Sequence, residues 1–339
     1  MKKTRQQYLT RGLILIFIGI IMLIIFYYQR STEHQTNMFY LDTYISVKIY
    51  THDKKKATEA LQEVDRIYQQ YHQLADSYQA YDNINNIYYF NEVALVNEKV
   101  KIEPELYHLI QYGLDAYKQT NGLVNIALGN VIDIWHTYRD NADGIPTKEE
   151  LQKAGSTNIN NLILHKNYLM EKTTDIKLDL GSITKGYATQ VVGDYLTNLG
   201  IDKYLINAGG NVKVGNHYQK NRYKIGLKEP KPNSNNIFKV INANNISVVT
   251  SGSYERFYQY DGKIYHHIID PLTLFPPNYF YAVTVITPNN ALADVLSTAL
   301  FLMDLESGQA FIKSFNNVDV IWYDINNKIH YSAGIKNYE

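Results

Sequence analysis

Gly12 to Tyr28 reads GLILIFIGIIMLIIFYY, 17 residues without a charge. A core helix of that length is rarely apolar on every side, because one face normally meets water. The run sits instead at the short end of what spans a bilayer. Lys2, Lys3, Arg5 and Arg11 precede it, no acidic residue occurs before Glu33, and Tyr27 and Tyr28 stand where an interfacial belt would lie. Positive charge retained on the near side leaves the N-terminus in the cytoplasm and sends the rest across. A cleaved signal peptide is the competing reading, but QRSTEHQ offers no pair of small residues for cleavage, which favours an uncleaved anchor. The expected organisation is a cytoplasmic tail and single-pass cell-membrane anchor over residues 1–30. Residues 31–339 form an extracytoplasmic domain.

That exported part has to be built without cysteine, which removes disulfides, thiolate catalysis and lipid attachment through sulfur. Lys and Arg number 33 against 33 Asp and Glu, so no overall field draws the chain to nucleic acid. Residues 39–50, FYLDTYISVKIY, read as one strand. Ala57, Ala60, Leu61, Val64, Ile67, Tyr68 and Tyr71 then recur at helical spacing. A second helix starts at Pro104, whose fixed φ suits a first turn, and carries Leu106, Leu109, Ile110 and Gly113 on one face. Later strands are expected at 203–207, 222–227, 245–250, 263–269, 281–287 and 318–324, with a helix from about 292 to 303. Helices and strands mix without βαβ alternation, so the fold class is α+β: mixed or antiparallel sheets with packed helices, in one domain of one or two lobes.

Five polar blocks punctuate the C-terminal half. In DLGSITKGYA (Asp179 to Ala188), Gly181 permits a tight turn, Ser182 can cap a helix, and Lys185 sits in its first turn. Free N–H groups and a positive dipole end suit a diphosphate, although for this block alone a capped helix with a solvated lysine is the better reading. In ADVLSTALF (Ala293 to Phe301), Asp294, Ser297 and Thr298 share one helix face among apolar neighbours. Such hard oxygens suit Mg²⁺ once diphosphate and water complete the octahedron. NAGGN (Asn207 to Asn211) ends a strand with Gly209 and Gly210, and TSGSYER (Thr250 to Arg256) reads as a second strand end. In HHIIDP, His266 and His267 point to opposite faces of a strand, so one alone can serve a given cleft. A histidine beside Asp270 could take a hydroxyl proton with its ring oriented by the carboxylate.

In this order the blocks resemble the ApbE family of FAD:protein FMN transferases, which move FMN from FAD to a threonine or serine of another protein. The resemblance implies that Asp179 and Lys185 contact FAD, that the Ser182 carbonyl, Asp294 and Thr298 bind the metal, and that His267, Asp270 and Lys185 are catalytic. It places Asn207, Gly209, Gly210, Thr250, Tyr254, Arg256 and Ile269 around the cleft. Leu41, Tyr81, Val124, Asn125 and Ile126 are implied as a flavin or adenine pocket. Three departures stand out. Leu41-Asp42-Thr43 occupies the family's M-G-T position, Asn125 replaces an aspartate, and Asp270-Pro271-Leu272-Thr273-Leu274 lacks the glycine of DPxTG. Implied too are Mg²⁺, FAD as substrate, AMP as leaving group, and an exported or membrane flavoprotein acceptor bearing D-x-x-[ST]-G-A-[ST], a pattern absent from this chain. The same residues could serve an FAD pyrophosphatase giving FMN and AMP, or a non-catalytic extracytoplasmic flavin carrier.

Overall fold

The computed structural model describes residues 16–19 and 32–339, apart from 220, 232–233 and 255. Except for 16–19, the expected membrane span at 12–28 lies outside the described residues; among those described, no helix is long and apolar enough to cross a membrane. The order begins β1 (Thr32–Tyr40), β2 (Thr43–Thr51), α1 (Lys54–Ala75), β3 (Val100–Lys101), α2 (Pro104–Gln119) and α3 (Gly129–Asn141). Next come α4 (Lys148–Gln152), β4 (Leu162–His165), β5 (Leu169–Lys172), α5 (Gly181–Asn198), β6 (Tyr204–Ala208) and β7 (Asn211–Val214). Then follow β8 (Tyr223–Lys228), β9 (Ile237–Ala243), β10 (Ile246–Gly252), β11 (Phe257–Tyr260), β12 (Lys263–His266) and β13 (Phe280–Thr287). The chain closes with α6 (Asn290–Leu302), α7 (Leu305–Phe311), β14 (Asp319–Asp324) and β15 (Ile329–Tyr331).

Eight strands form the central sheet in the order β1-β2-β6-β7-β10-β13-β14-β15. Every neighbouring pair in it is antiparallel, so the fold is α+β with an antiparallel frame. Period-2 alternation gives this sheet two buried faces. Val249, Val283, Val285, Val320 and Trp322 pack on α6. Their neighbours Val248, Ile286 and Ile321 point the other way, against the β8–β9 ribbon. Ile45, Val47, Ile49 and Ile206 meet α1, α2 and α5 in the largest core.

Local chemistry explains the helix starts. Asp53 caps α1 by accepting from the Lys56 amide at 3.0 Å, and α1 buries the expected stripe except Leu61, which is half-buried. Pro104 opens α2. Residues 39–50 are not one strand, however. Leu41 and Asp42 both adopt φ of +53°, and Tyr40 pairs with Thr43, making a two-residue hairpin between β1 and β2. Two positive φ values define a type I′ turn, which Asn-Gly ordinarily signals and Leu-Asp does not. The expected strand 263–269 ends at His266.

Candidate active site

A cavity of about 640 Å³ opens where α5, α6, β10 and the β1–β2 turn converge. Its floor is the contact between α5 and α6. Gly186 allows that approach, since a Cβ there would meet the Asn290 carbonyl at 2.8 Å and Asp294 Oδ2 at 2.9 Å. The Gly186 N–H donates to Asp294 Oδ2 at 2.7 Å. In a regular helix that N–H would serve the carbonyl four residues earlier, that of Ser182, so the carboxylate competes for the donor and leaves capacity on the Ser182 oxygen. Asp294 is buried, which raises its pKa; Lys185 and the amides of Gly186 and Asn211 oppose the rise. Asn211 lies near enough to favour the carboxylate, yet its own buried Nδ2 makes no hydrogen bond of ordinary geometry.

Thr298 lies one turn further along α6. Ser251 Oγ lies 2.8 Å from Ser297 Oγ and 3.4 Å from Thr298 Oγ1, a small hydroxyl network beside the carboxylate. Among the described residues no group of three His, Asp or Glu could hold a cation unaided. The oxygens present are one carboxylate, hydroxyls and a carbonyl. Such a set fits Mg²⁺ with ligand phosphates completing the shell, and the buried, otherwise costly charge of Asp294 is what a divalent cation would offset.

Asp179 and the α5 start form the adjoining wall. Ser182 does not cap the helix as expected; Leu180 is the cap residue, and Asp179 Oδ1 accepts the Gly181 N–H at 2.9 Å. Burial raises the pKa of Asp179, partly countered by the Gly181 bond and by His136.

His267 stands at the exit of β12. Its Nδ1 lies 3.2 Å from the Arg256 carbonyl. A carbonyl can only accept, so Nδ1 carries the proton and Nε2 keeps a lone pair for the cleft. Although its surface is exposed along the cleft, enclosure by the walls and the charge of Lys185 hold its pKa below the ordinary histidine value, so the ring is neutral at pH 7. His266 is the structural partner, buried against Phe301 with Nε2 2.8 Å from the Pro277 carbonyl.

The expected orientation of His267 by Asp270 is not made. Asp270 folds back on its own turn, accepting from Leu272 N at 2.8 Å and Thr273 Oγ1 at 3.2 Å, so the Arg256 carbonyl does the orienting. In that turn Leu274 keeps φ of +64° where the DPxTG pattern has glycine. Trp135 Nε1 donates to the Leu274 carbonyl at 2.9 Å and holds the strained residue in place. The rim opposite is the Leu41-Asp42 turn, with Arg256 Nη2 3.6 Å from Asp42 Oδ2. Gly209, at φ +56°, brings the AGGN turn against Thr43, where a Cβ would collide with the hydroxyl.

The cavity wall thus contains Leu41, Tyr81, Val124, Asn125, Asp179, Ser182, Lys185, Gly209, Thr250, Arg256, His267, Ile269, Asp294 and Thr298. Among the described residues it does not contain Ile126, Asn207, Gly210, Tyr254 or Asp270. Ile126 is fully buried in the main core, where Gly113 accommodates it. Asn207 is exposed, because alternation along β6 turns Tyr204, Ile206 and Ala208 inward and Asn207 outward, and across the turn it is Asn211, paired with Ala208, that is buried. Tyr254 lies over Gly252. Asn125 lines the cavity with its amide already engaged, donating to the Thr157 carbonyl and accepting from Ala127 N, both at 2.9 Å. Thr250 Oγ1 lies 2.9 Å from Thr284 Oγ1 across the ladder, so its neighbour Ser251 presents the hydroxyl to α6. Strand alternation could have flagged Ser251. Nothing local marks Asp76, Tyr78 or His136, which join the wall from α1's exit and α3; Tyr78 Oη lies 2.9 Å from His136 Nδ1.

An eight-stranded antiparallel frame with a cleft floored by two helices defines the class, and comparison with known proteins agrees. The model of the ApbE family matches residues 41–322. The FAD:protein FMN transferase of Klebsiella pneumoniae is 30% identical over 304 residues, covering 85% of this chain and 88% of its own length. That of Treponema pallidum is 30% identical over 255 residues, 70% of each chain. The crystal structure of the Thermotoga maritima ApbE protein superposes with a TM-score of 0.82 at 24% identity, covering 91% of this chain and 99% of its own. The Vibrio cholerae flavin transferase ApbE gives 0.77 at 23%, covering 91% and 100%. This chain belongs to the ApbE family.

Proposed function

We propose that this protein transfers FMN from FAD to a threonine or serine hydroxyl of a separate exported or membrane flavoprotein bearing D-x-x-[ST]-G-A-[ST], releasing AMP, at the outer face of the cell membrane. The observation that carries the reading is a single cleft joining the buried Asp294, Thr298, Lys185 and the α5 N-terminus to a neutral His267 with a free Nε2. Those groups match the needs of phosphoryl-type transfer, where positioning and charge stabilisation supply most of the rate.

Asp294, Thr298 and the Ser182 carbonyl would hold Mg²⁺, which supplies charge neutralisation on the diphosphate. Lys185 and the α5 N–H groups bind and orient phosphate oxygens. Leu41, Val124 and Ile269 give apolar surface for flat rings, while Arg256 ties the hairpin rim to the histidine. His267 Nε2 accepts the acceptor's hydroxyl proton as its oxygen bonds the FMN-side phosphorus. The bridging P–O bond breaks, and AMP departs with that electron pair. Asp270 shapes the turn that follows the histidine, its carboxylate bonded within that turn.

Incubation of the full chain in detergent with FAD, Mg²⁺ and a soluble acceptor carrying D-x-x-T-G-A-T, followed by intact mass measurement, tests the reaction. One metal-dependent FMN adduct on the threonine is expected. Free FMN and AMP with an unlabelled acceptor would overturn transfer in favour of hydrolysis.

A further inference from the structure

We infer that β1 is a strut that sets an upper limit on the height of the cleft above the bilayer and so limits the acceptor to proteins whose target hydroxyl lies close to the membrane surface. The inference rests on the anchor and transferase readings above and adds a geometric restriction to the partner. Three residues, Gln29, Arg30 and Ser31, separate the apolar run from the first residue of β1. From there the chain has no slack. Thr32 already pairs with Thr51, and the register continues without a shift to Tyr40 opposite Thr43. Glu33 braces the membrane-proximal end, accepting from Lys48 Nζ at 3.0 Å and Tyr50 Oη at 2.9 Å.

The other end of the strut is the cleft itself, since Leu41, Asp42 and Thr43 form its rim. Leu41 is 13 residues past Tyr28. Even a fully extended chain spans only about 3.4 Å per residue, so the hairpin tip stays within about 45 Å of the end of the apolar run. Arg256 reaches Asp42 with its side chain and holds His267 with its carbonyl, so the reacting end lies one extended side chain from that tip. A flexible linker would sweep a large volume. A strand locked from its first residues cannot.

The test uses the full chain in proteoliposomes with single-span acceptors. Each displays D-x-x-T-G-A-T on a helix continuous with its own membrane span, the motif standing about 15, 40 or 90 Å above the bilayer at roughly 1.5 Å per helical residue. A second enzyme carries 30 Gly/Ser residues inserted between Ser31 and Thr32. The native chain should label the two nearer acceptors and lose at least tenfold in rate on the far one. The insertion should recover the far acceptor while labelling a soluble acceptor in detergent at the native rate. Equal labelling of near and far acceptors by the native chain overturns the strut. Carbonate extraction of the native chain from membranes overturns the anchor, and failure to label the soluble acceptor overturns the transferase reading; either removes the inference with it.

Discussion

The floor and the rim of the cleft are built by opposite means. The floor is two relaxed helices held together by a missing side chain at Gly186 and a carboxylate bond from Asp294. The rim and the turn behind His267 rely on three non-glycine residues, Leu41 and Asp42 in the first and Leu274 in the second, held at positive φ by their surroundings. At the floor an added atom has nowhere to go, because it meets backbone. At the rim the backbone path is kept while the side chains depart from the family pattern, at a conformational cost of about 1 kcal/mol or more for each strained residue. Function therefore depends on distances at the floor and on chain path at the rim.

The largest effect is expected from Asp294→Asn, which keeps an acceptor for the Gly186 amide and removes the charge. Transfer should fall by at least about 100-fold, the scale of losing one preorganised electrostatic group. The sign for stability is the reverse. Burial raises the folded pKa of Asp294, so its contribution is full below the ordinary carboxylate value and is lost as pH rises through the folded one. At pH 7 the apo variant should melt no lower than the native protein; a clear drop in Tm would show that the charge serves the fold instead.

Gly186→Ala comes next. Its methyl would press on the Asn290 carbonyl and Asp294, and overpacking of this kind costs about 1–3 kcal/mol. Turnover should fall more than stability, since the displaced groups are those that position phosphate. An unchanged denaturation midpoint together with native turnover would remove the floor from the account.

A smaller effect tests the histidine. Its depressed pKa means that His267 stays neutral as pH drops below the ordinary histidine value, and that stability it contributes is lost as pH falls from there toward the folded value. Its NMR titration midpoint in the apo protein should lie below 6.5 (the reference value for an unperturbed ring). Lys185→Met should raise it by removing a neighbouring positive charge. A midpoint unmoved by that substitution would separate Lys185 from the proton-accepting ring.

The smallest effect belongs to the rim. Replacing Leu41-Asp42 by Asn-Gly supplies residues suited to a type I′ turn and should stabilise the fold by about 1 kcal/mol, read from denaturant midpoints. KM for FAD should rise, because Leu41 lines the cavity. A destabilised hairpin would mean that the leucine's packing outweighs its strain.

The same contrast explains what could be read in the chain before folding. The floor residues sit in helices whose period puts Asp294, Ser297 and Thr298 on one face, and Pro104 and the α1 stripe announce their helices. The strands expected at 203–207, 222–227, 245–250, 281–287 and 318–324 fall within two residues of those formed, whereas the one expected over 263–269 stops at His266 and β9 was not singled out. The β1–β2 hairpin was hidden because Leu-Asp carries no turn signal. Asn211 was hidden because only its pairing with Ala208 across the two-glycine turn shows that it, and not Asn207, shares the buried face. Asp270 misled because its proximity in sequence to His267 does not survive the turn at Leu272 to Leu274. His136 and Tyr78 reach the wall through tertiary packing alone, which no local pattern encodes.

The cavity draws its wall from Leu41 at one end of the domain to Leu302 near the other. No partial chain can own it. A ligand that binds only the finished cleft stabilises only the finished molecule, by RT ln(1 + [L]/Kd). FAD should therefore shield the full-length chain from proteolysis and give no shelter to one truncated before α6. Occupancy by its own substrate becomes a certificate that the last helix has docked.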